Sequence, residues 1–107
     1  MVARNDIHWA DTGGSFGRRP VCVLTRDAAI SVLAAVTCAP ITRTIRGIPS
    51  EVELGPEHGF SDPCVISCDS LLTIPIADLD AQPVGTLDAV TRAKLDGTLR
   101  YALDIAY

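Results

Sequence analysis

All seven prolines and every glycine but Gly97 fall before Asp88. They cut that part of the chain into short apolar pieces rich in β-branched residues: "VCVLT", "AVTCAPI", "EVEL" and "CVISC". Apolar runs of this length, bounded by turn formers, read as strands and not as helices. The pattern predicts strands over Asp6–Ala10, Pro20–Thr25, Ser31–Ile41, Glu51–Leu54 and Cys64–Asp69, a short one in "SLLTIPI", and a brief last one over Val84–Leu87. Arg26–Ile30 reads as one helical turn, Thr42–Pro49 as a polar, basic connector, and Asp11–Arg19 and Gly55–Pro63 as loops. Pro20 suits the first residue of a strand, and Pro40 is expected to mark the end of the third. His8, between Ile7 and Trp9, is expected on the exposed face of the first strand.

One stretch keeps a helical period. Leu95, Leu99, Ala102 and Leu103 recur at helical spacing within Asp88–Ile105, and Asp88 is a suitable N-cap. Gly97 inside it costs about 1 kcal/mol relative to alanine, so a packing reason is expected there. Many short strands followed by one terminal helix indicate a mainly β protein, a small β-barrel with a C-terminal helix packed against it.

With 107 residues, 48% hydrophobic and 21% charged, the chain fits one domain with a packed core. That apolar content is large for a small barrel, so a dimer interface is expected to cover part of it. No apolar run approaches the roughly 20 residues of a membrane-spanning helix. The charged start "MVARNDIHWAD" is unlike a signal peptide, so a cytoplasmic protein without a membrane partner is expected. Cys22, Cys38, Cys64 and Cys68 each lie in an apolar run. They read as buried thiols, ahead of a disulfide or a metal site, because neither C-x-x-C pairs nor a Cys/His cluster occurs.

The net charge of −4 hides an asymmetry. Six arginines against three acids make the chain +3 through Ser50, and three bases against ten acids make the rest −7. Of nine basic residues only Lys94 is a lysine. Arginine's planar fork suits bidentate phosphate contacts, although a solvated basic face would look the same. In "GGSFGRRPVCVLT" a glycine-rich loop leads into Arg18 and Arg19, and Pro20 opens the strand. A guanidinium beside flexible backbone N–H groups suits an oxyanion or phosphate; a surface arginine paired with an acid is the competing reading. Thr37, midway along an apolar strand, needs a hydrogen-bond partner or faces a cleft. Neither His8 nor His58 is placed beside a nucleophile, and no P-loop, G-x-G-x-x-G or cysteine-nucleophile signature occurs.

The succession "NDIHWAD", "GRRPVCVLT", "AAVTCAPIT", "EVEL", "VISCDSLLTI" and "VGTL" before a terminal helix resembles MazF/PemK-type toxins over almost the whole chain. "APITRTIRG", "SCD" and "TIP" are most similar to the actinobacterial branch. The resemblance implies an SH3-like small β-barrel of the CcdB/PemK type, a homodimer, and a metal-independent endoribonuclease without cofactor that cleaves single-stranded RNA. It further implies sequence-specific cleavage that inhibits translation and growth, and inhibition by a cognate MazE-like antitoxin with an acidic C-terminal segment. Arg19, before Pro20, matches the family's catalytic arginine, and Thr37 its strand-three threonine. Ser15, Phe16, Arg18, Thr42, Arg43, Asp69 and Ser70 are the implied RNA contacts. Thr12–Arg18 matches the loop that covers RNA and that the antitoxin displaces.

Two departures stand out. The loop keeps only "GGSFG" of the usual G-S-E-x-G-G form, and Asp69-Ser70-Leu71-Leu72-Thr73 replaces D-Q-[IL]-R-T. The cleavage sequence is therefore not legible from the family pattern. A CcdB-like gyrase poison is the first alternative, but its activity resides in a C-terminal Trp-Gly-Ile, where this chain has Ile105-Ala106-Tyr107. A non-catalytic RNA-binding barrel is the second, and it needs aromatic platforms that the scattered Trp9, Phe16, Phe60, Tyr101 and Tyr107 do not suggest.

Overall fold

The computed structural model describes residues 1–14 and 17–106. Among the described residues, seven strands and two α-helices follow in the order β1 (Asp6–Asp11), β2 (Arg18–Val23), α1 (Asp27–Ile30), β3 (Ala35–Thr42), β4 (Glu51–Leu54), β5 (Cys64–Ser67), β6 (Leu72–Pro75), β7 (Gly85–Thr86) and α2 (Ala89–Leu103). The strands form one antiparallel sheet in the order β4-β5-β3-β2-β1-β7, with β6 also on β3. The fold is the expected one, mainly β with a curled sheet and a C-terminal helix.

β3 organises the sheet. One edge pairs with β2, matching Val21 to Pro40 and Val23 to Cys38. The other edge pairs with β6 over Ala35–Cys38 and with β5 at Ile41 and Thr42. Pro40 lies in the gap between those two ladders, where its missing N–H interrupts neither. The strand therefore runs on to Thr42 and does not end at Pro40. It also begins later than expected: Ser31 caps α1, and the Val32 and Leu33 N–H groups still bond to the Ala29 carbonyl.

Apolar residues cover both faces of the central strands, which is why β2 and β3 read as near-continuous apolar runs. On one face Ile7, Cys22, Ala39, Ile41 and Ile66 pack with Leu95 and Leu99 of α2. On the other, Ala10, Val21, Val23, Val36 and Cys38 pack with Ile74 and Leu79. The two-faced core corrects the expectation for His8, which is fully buried. Its Nδ1 lies 2.7 Å from the Asp80 carbonyl and its Nε2 3.7 Å from the Asp6 carboxylate.

α2 is capped as expected: the Asp88 carboxylate accepts the Thr91 N–H at 2.8 Å. His58, in the β4–β5 connection, accepts the Gly55 N–H on Nδ1 at 3.3 Å and reaches the Thr91 hydroxyl from Nε2 at 3.0 Å, clipping that connection to the helix. A Cβ on Gly97 would meet nothing within 4 Å, so no packing within the chain requires that glycine. The four cysteines are free and buried. Burial pushes the Cys22 and Cys38 thiols up to about 12 and Cys68 up to about 11. No helix among the described residues is long and apolar enough to cross a membrane.

Candidate functional site

β2 opens with Arg18, Arg19 and Pro20 beside β1, where they pair with Asp11, Ala10 and Trp9. Just upstream, the loop is pinned at its base: the Thr12 N–H and hydroxyl both donate to the Gly17 carbonyl, at 3.0 and 2.6 Å. Gly13 and Gly17 hold positive φ, of 76° and 60°, which only glycine adopts without strain. Ser15 and Phe16, expected among the RNA contacts, lie outside the described residues.

Continuing the β2–β3 register past Val21 and Pro40 brings Arg19 level with Thr42, on the same face of the sheet. Both side chains are half-buried. The register does not bring Thr37 to Arg19. Thr37 pairs with Thr73 of β6 and is exposed. It stands five residues up β3 from Thr42, roughly 17 Å along the strand, and an odd offset turns it to the opposite face. Its backbone N–H donates to the Thr25 hydroxyl at 2.8 Å, and its carbonyl accepts the Leu24 N–H at 2.9 Å. The threonine level with the strand-two arginine is thus Thr42, and Thr37 stands apart from it.

Two clefts share Arg19, Thr42 and Thr44. The first, of about 400 Å³, adds Thr12, Arg46, Glu51, Asp69 and Ser70. Its wall is ordered by hydrogen bonds. The Ser50 hydroxyl donates to the Asp69 carboxylate, and Glu51 accepts the N–H groups of Arg46 and Gly47 at 3.1 and 3.0 Å. The second, of about 580 Å³, adds Trp9, Arg18, Arg43, Phe60 and Asp62. Arg18 is paired with Asp80 at 2.7 Å, and that hydrogen bond and charge hold it more firmly protonated than usual. Arg43 is paired with Asp62 at 3.4 Å.

The structure therefore gathers Arg18, Arg19, Thr42, Arg43, Asp69 and Ser70 around two joined clefts. Sequence reasoning missed Thr44, Arg46 and Glu51 in the first and the pairing of Trp9 with Phe60 in the second. The two aromatics are 51 positions apart in the chain, so only the folded sheet reveals that they share a cleft. Neither histidine lines either cleft.

Chemically, the shared segment offers a guanidinium and a hydroxyl to one bound oxyanion, with polar walls on one side and aromatic and cationic walls on the other. The family of PemK-like, MazF-like toxins of type II toxin–antitoxin systems matches residues 3–103. The chain belongs to that family. Over 87 residues it is 41% identical to the endoribonuclease MazF3 of Mycobacterium tuberculosis, covering 81% of this chain and 84% of the relative. It is 38% identical over 108 residues to the probable endoribonuclease MazF5 of the same organism, covering 97% and 94%. Among solved structures, the M. tuberculosis toxin MazF-mt6 superimposes with a TM-score of 0.87 at 37% identity, covering 95% of this chain and 99% of that one.

Proposed function

We propose that this MazF/PemK-type toxin is a sequence-specific endoribonuclease that cleaves single-stranded RNA at the junction of the two clefts and thereby inhibits translation and growth. The observation that carries the reading is the register that sets Arg19 level with Thr42 where the clefts meet. A scissile phosphate seated there receives the forked guanidinium of Arg19 and the hydroxyl of Thr42 on its non-bridging oxygens. Preorganised donors of this kind stabilise the charge that builds in a phosphoryl transition state. The nucleophile is the RNA's own 2′-oxygen. It forms a bond to phosphorus as the bond to the 5′-oxygen breaks, giving a 2′,3′-cyclic phosphate and a 5′-hydroxyl. The 2′-hydroxyl loses its proton and the leaving oxygen gains one. Arg19 gives that second proton or neutralises the leaving oxygen; a guanidinium presents donors and no acceptor, so it is not the base.

The roles first matched to Arg19 and Thr37 thus become Arg19 and Thr42. Arg18 and Arg43 attract the backbone, and Asp69 and Ser70 contact a neighbouring nucleotide. The active form is a homodimer, in line with the apolar side chains left exposed, Val90 and Tyr101 among them. A cognate antitoxin with an acidic segment inhibits by occupying the same arginine-lined clefts, since both ligands answer to one charge pattern.

The test is an end analysis. Incubated with single-stranded RNA in EDTA, the protein is expected to leave 5′-hydroxyl and 2′,3′-cyclic phosphate ends, and to leave the same sequence made as DNA uncut. Cleavage that stops in EDTA, or ends bearing 5′-phosphate, would contradict the mechanism.

A further inference from the structure

We infer that the cleft walled by Trp9 and Phe60 is a base-stacking subsite for the nucleotide next to the phosphate at Arg19 and Thr42. The inference rests on the RNA-cleaving reading and adds a subsite to it. Trp9 is a large aromatic side chain left 41% exposed on a strand whose neighbouring residues, Ile7, His8 and Ala10, are buried. Core packing therefore leaves part of its ring open to a ligand. Phe60 reaches the same cleft from the β4–β5 connection, and its position is set by local bonds. Its N–H bonds to the Gly55 carbonyl, and the connection is clipped to α2 through His58 and Thr91.

The cations are arranged to match. Arg18, Arg19 and Arg43 line this cleft with the two aromatics, and Arg19 and Thr42 carry it into the first one. Aromatic faces and guanidinium groups lining one groove are what an unpaired strand requires: cations follow the phosphates and rings stack the bases. The occupant is thus an unstacked base of single-stranded RNA. Stacking accepts any base, so this subsite adds affinity, and discrimination falls to the polar cleft beyond Arg19.

Trp9 is the sole tryptophan of the chain, which makes it its own reporter. The full-length protein is titrated with an oligoribonucleotide carrying 2′-O-methyl groups, which cannot be cut, and in parallel with an abasic oligomer of equal length. Binding is read by anisotropy of a dye on the oligomer, and stacking by tryptophan emission. Both oligomers are expected to bind, and only the one with bases should quench Trp9. Trp9→Ala is expected to weaken binding about 5- to 100-fold and to raise KM with little change in kcat, because stacking is equal in ground and transition states. Trp9→Phe should restore most of that loss. Phe60→Ala, which keeps the reporter, should weaken binding by about 5-fold or more and reduce the quench, whether or not Trp9→Ala folds. RNA that binds and is cleaved while Trp9 emission matches the abasic control overturns the subsite alone. Failure of every oligomer to bind overturns the RNA-cleaving reading with it.

Discussion

Arg19 and Thr42 make opposite demands on the reader of the sequence. The role proposed for Arg19 came from the family pattern, which sets an arginine before Pro20, whereas Pro20 itself is the third residue of β2, which already begins at Arg18. Thr42 was expected only among the RNA contacts, and its partnership with Arg19 was not legible, because it depends on the β2–β3 register. That register is set through α1 and the turn after it, where no residue pattern gives the exact offset. A one-residue error in a strand sends every side chain to the wrong face, and Thr37 is five residues away. The two threonines make a clean comparison. Thr42→Val is expected to lower single-turnover cleavage about 10- to 100-fold, the scale of losing one donor to developing charge. Thr37→Val should change it less than about 2-fold, because nothing it contacts reaches the clefts. Single-turnover rates at saturating enzyme check both. Arg19→Lys, which keeps the charge and loses the fork, should fall well below wild type.

Among the elements, β4 and the N-cap of α2 fell where the sequence put them, because an alternating "EVEL" and an aspartate before a helical period are local signals. The late start of β3 follows from the turn after α1, which holds Val32 and Leu33, but the burial of His8 was not local. It depends on what covers the far side of the sheet, the Leu79–Asp80 segment, which arrives from later in the chain. The helix offers a graded stability test. Leu95, fully buried against the sheet, should cost about 2–5 kcal/mol on truncation to alanine. Asp88→Ala should cost about 1 kcal/mol through loss of the cap. Gly97→Ala should stabilise by about 0.5–1 kcal/mol, since the added methyl has open space and the helix gains propensity. Urea midpoints of the three variants, compared at equal protein concentration, measure these effects. Destabilisation by Gly97→Ala would show that a partner approaches the helix at that point.

For the molecule as a whole, the charge asymmetry between the two halves of the sequence is largely knitted together by folding. Arg4, Arg18 and Arg43 from the basic half pair with Asp96, Asp80 and Asp62 from the acidic half. Three of the six arginines that make the first half basic are thus held by acids of the second. What remains is local, a groove with arginines on its rim held by acids that phosphates can replace. Asp62→Asn is therefore expected to lower KM for RNA up to about 5-fold with kcat unchanged, the scale of one exposed ion pair. The buried thiols shape the pH response of the fold. Burial holds Cys22, Cys38 and Cys68 neutral until about 11 to 12, whereas in the unfolded chain they ionise near about 8.5. The folded state then binds more protons above about pH 8.5, so this stabilisation is complete at neutral pH and is lost as pH rises through that range. Urea midpoints measured towards alkaline pH should fall, and less steeply for Cys22→Ala.

The account of cleavage turns on a single guanidinium at the meeting point of the two clefts. The most direct measurement is single-turnover cleavage of a single-stranded RNA in EDTA by Arg19→Ala, with circular dichroism and the urea midpoint confirming an intact fold. The rate is expected to fall by about 10²-fold or more. A folded Arg19→Ala protein that cleaves within about 3-fold of wild type would contradict the assignment of this site.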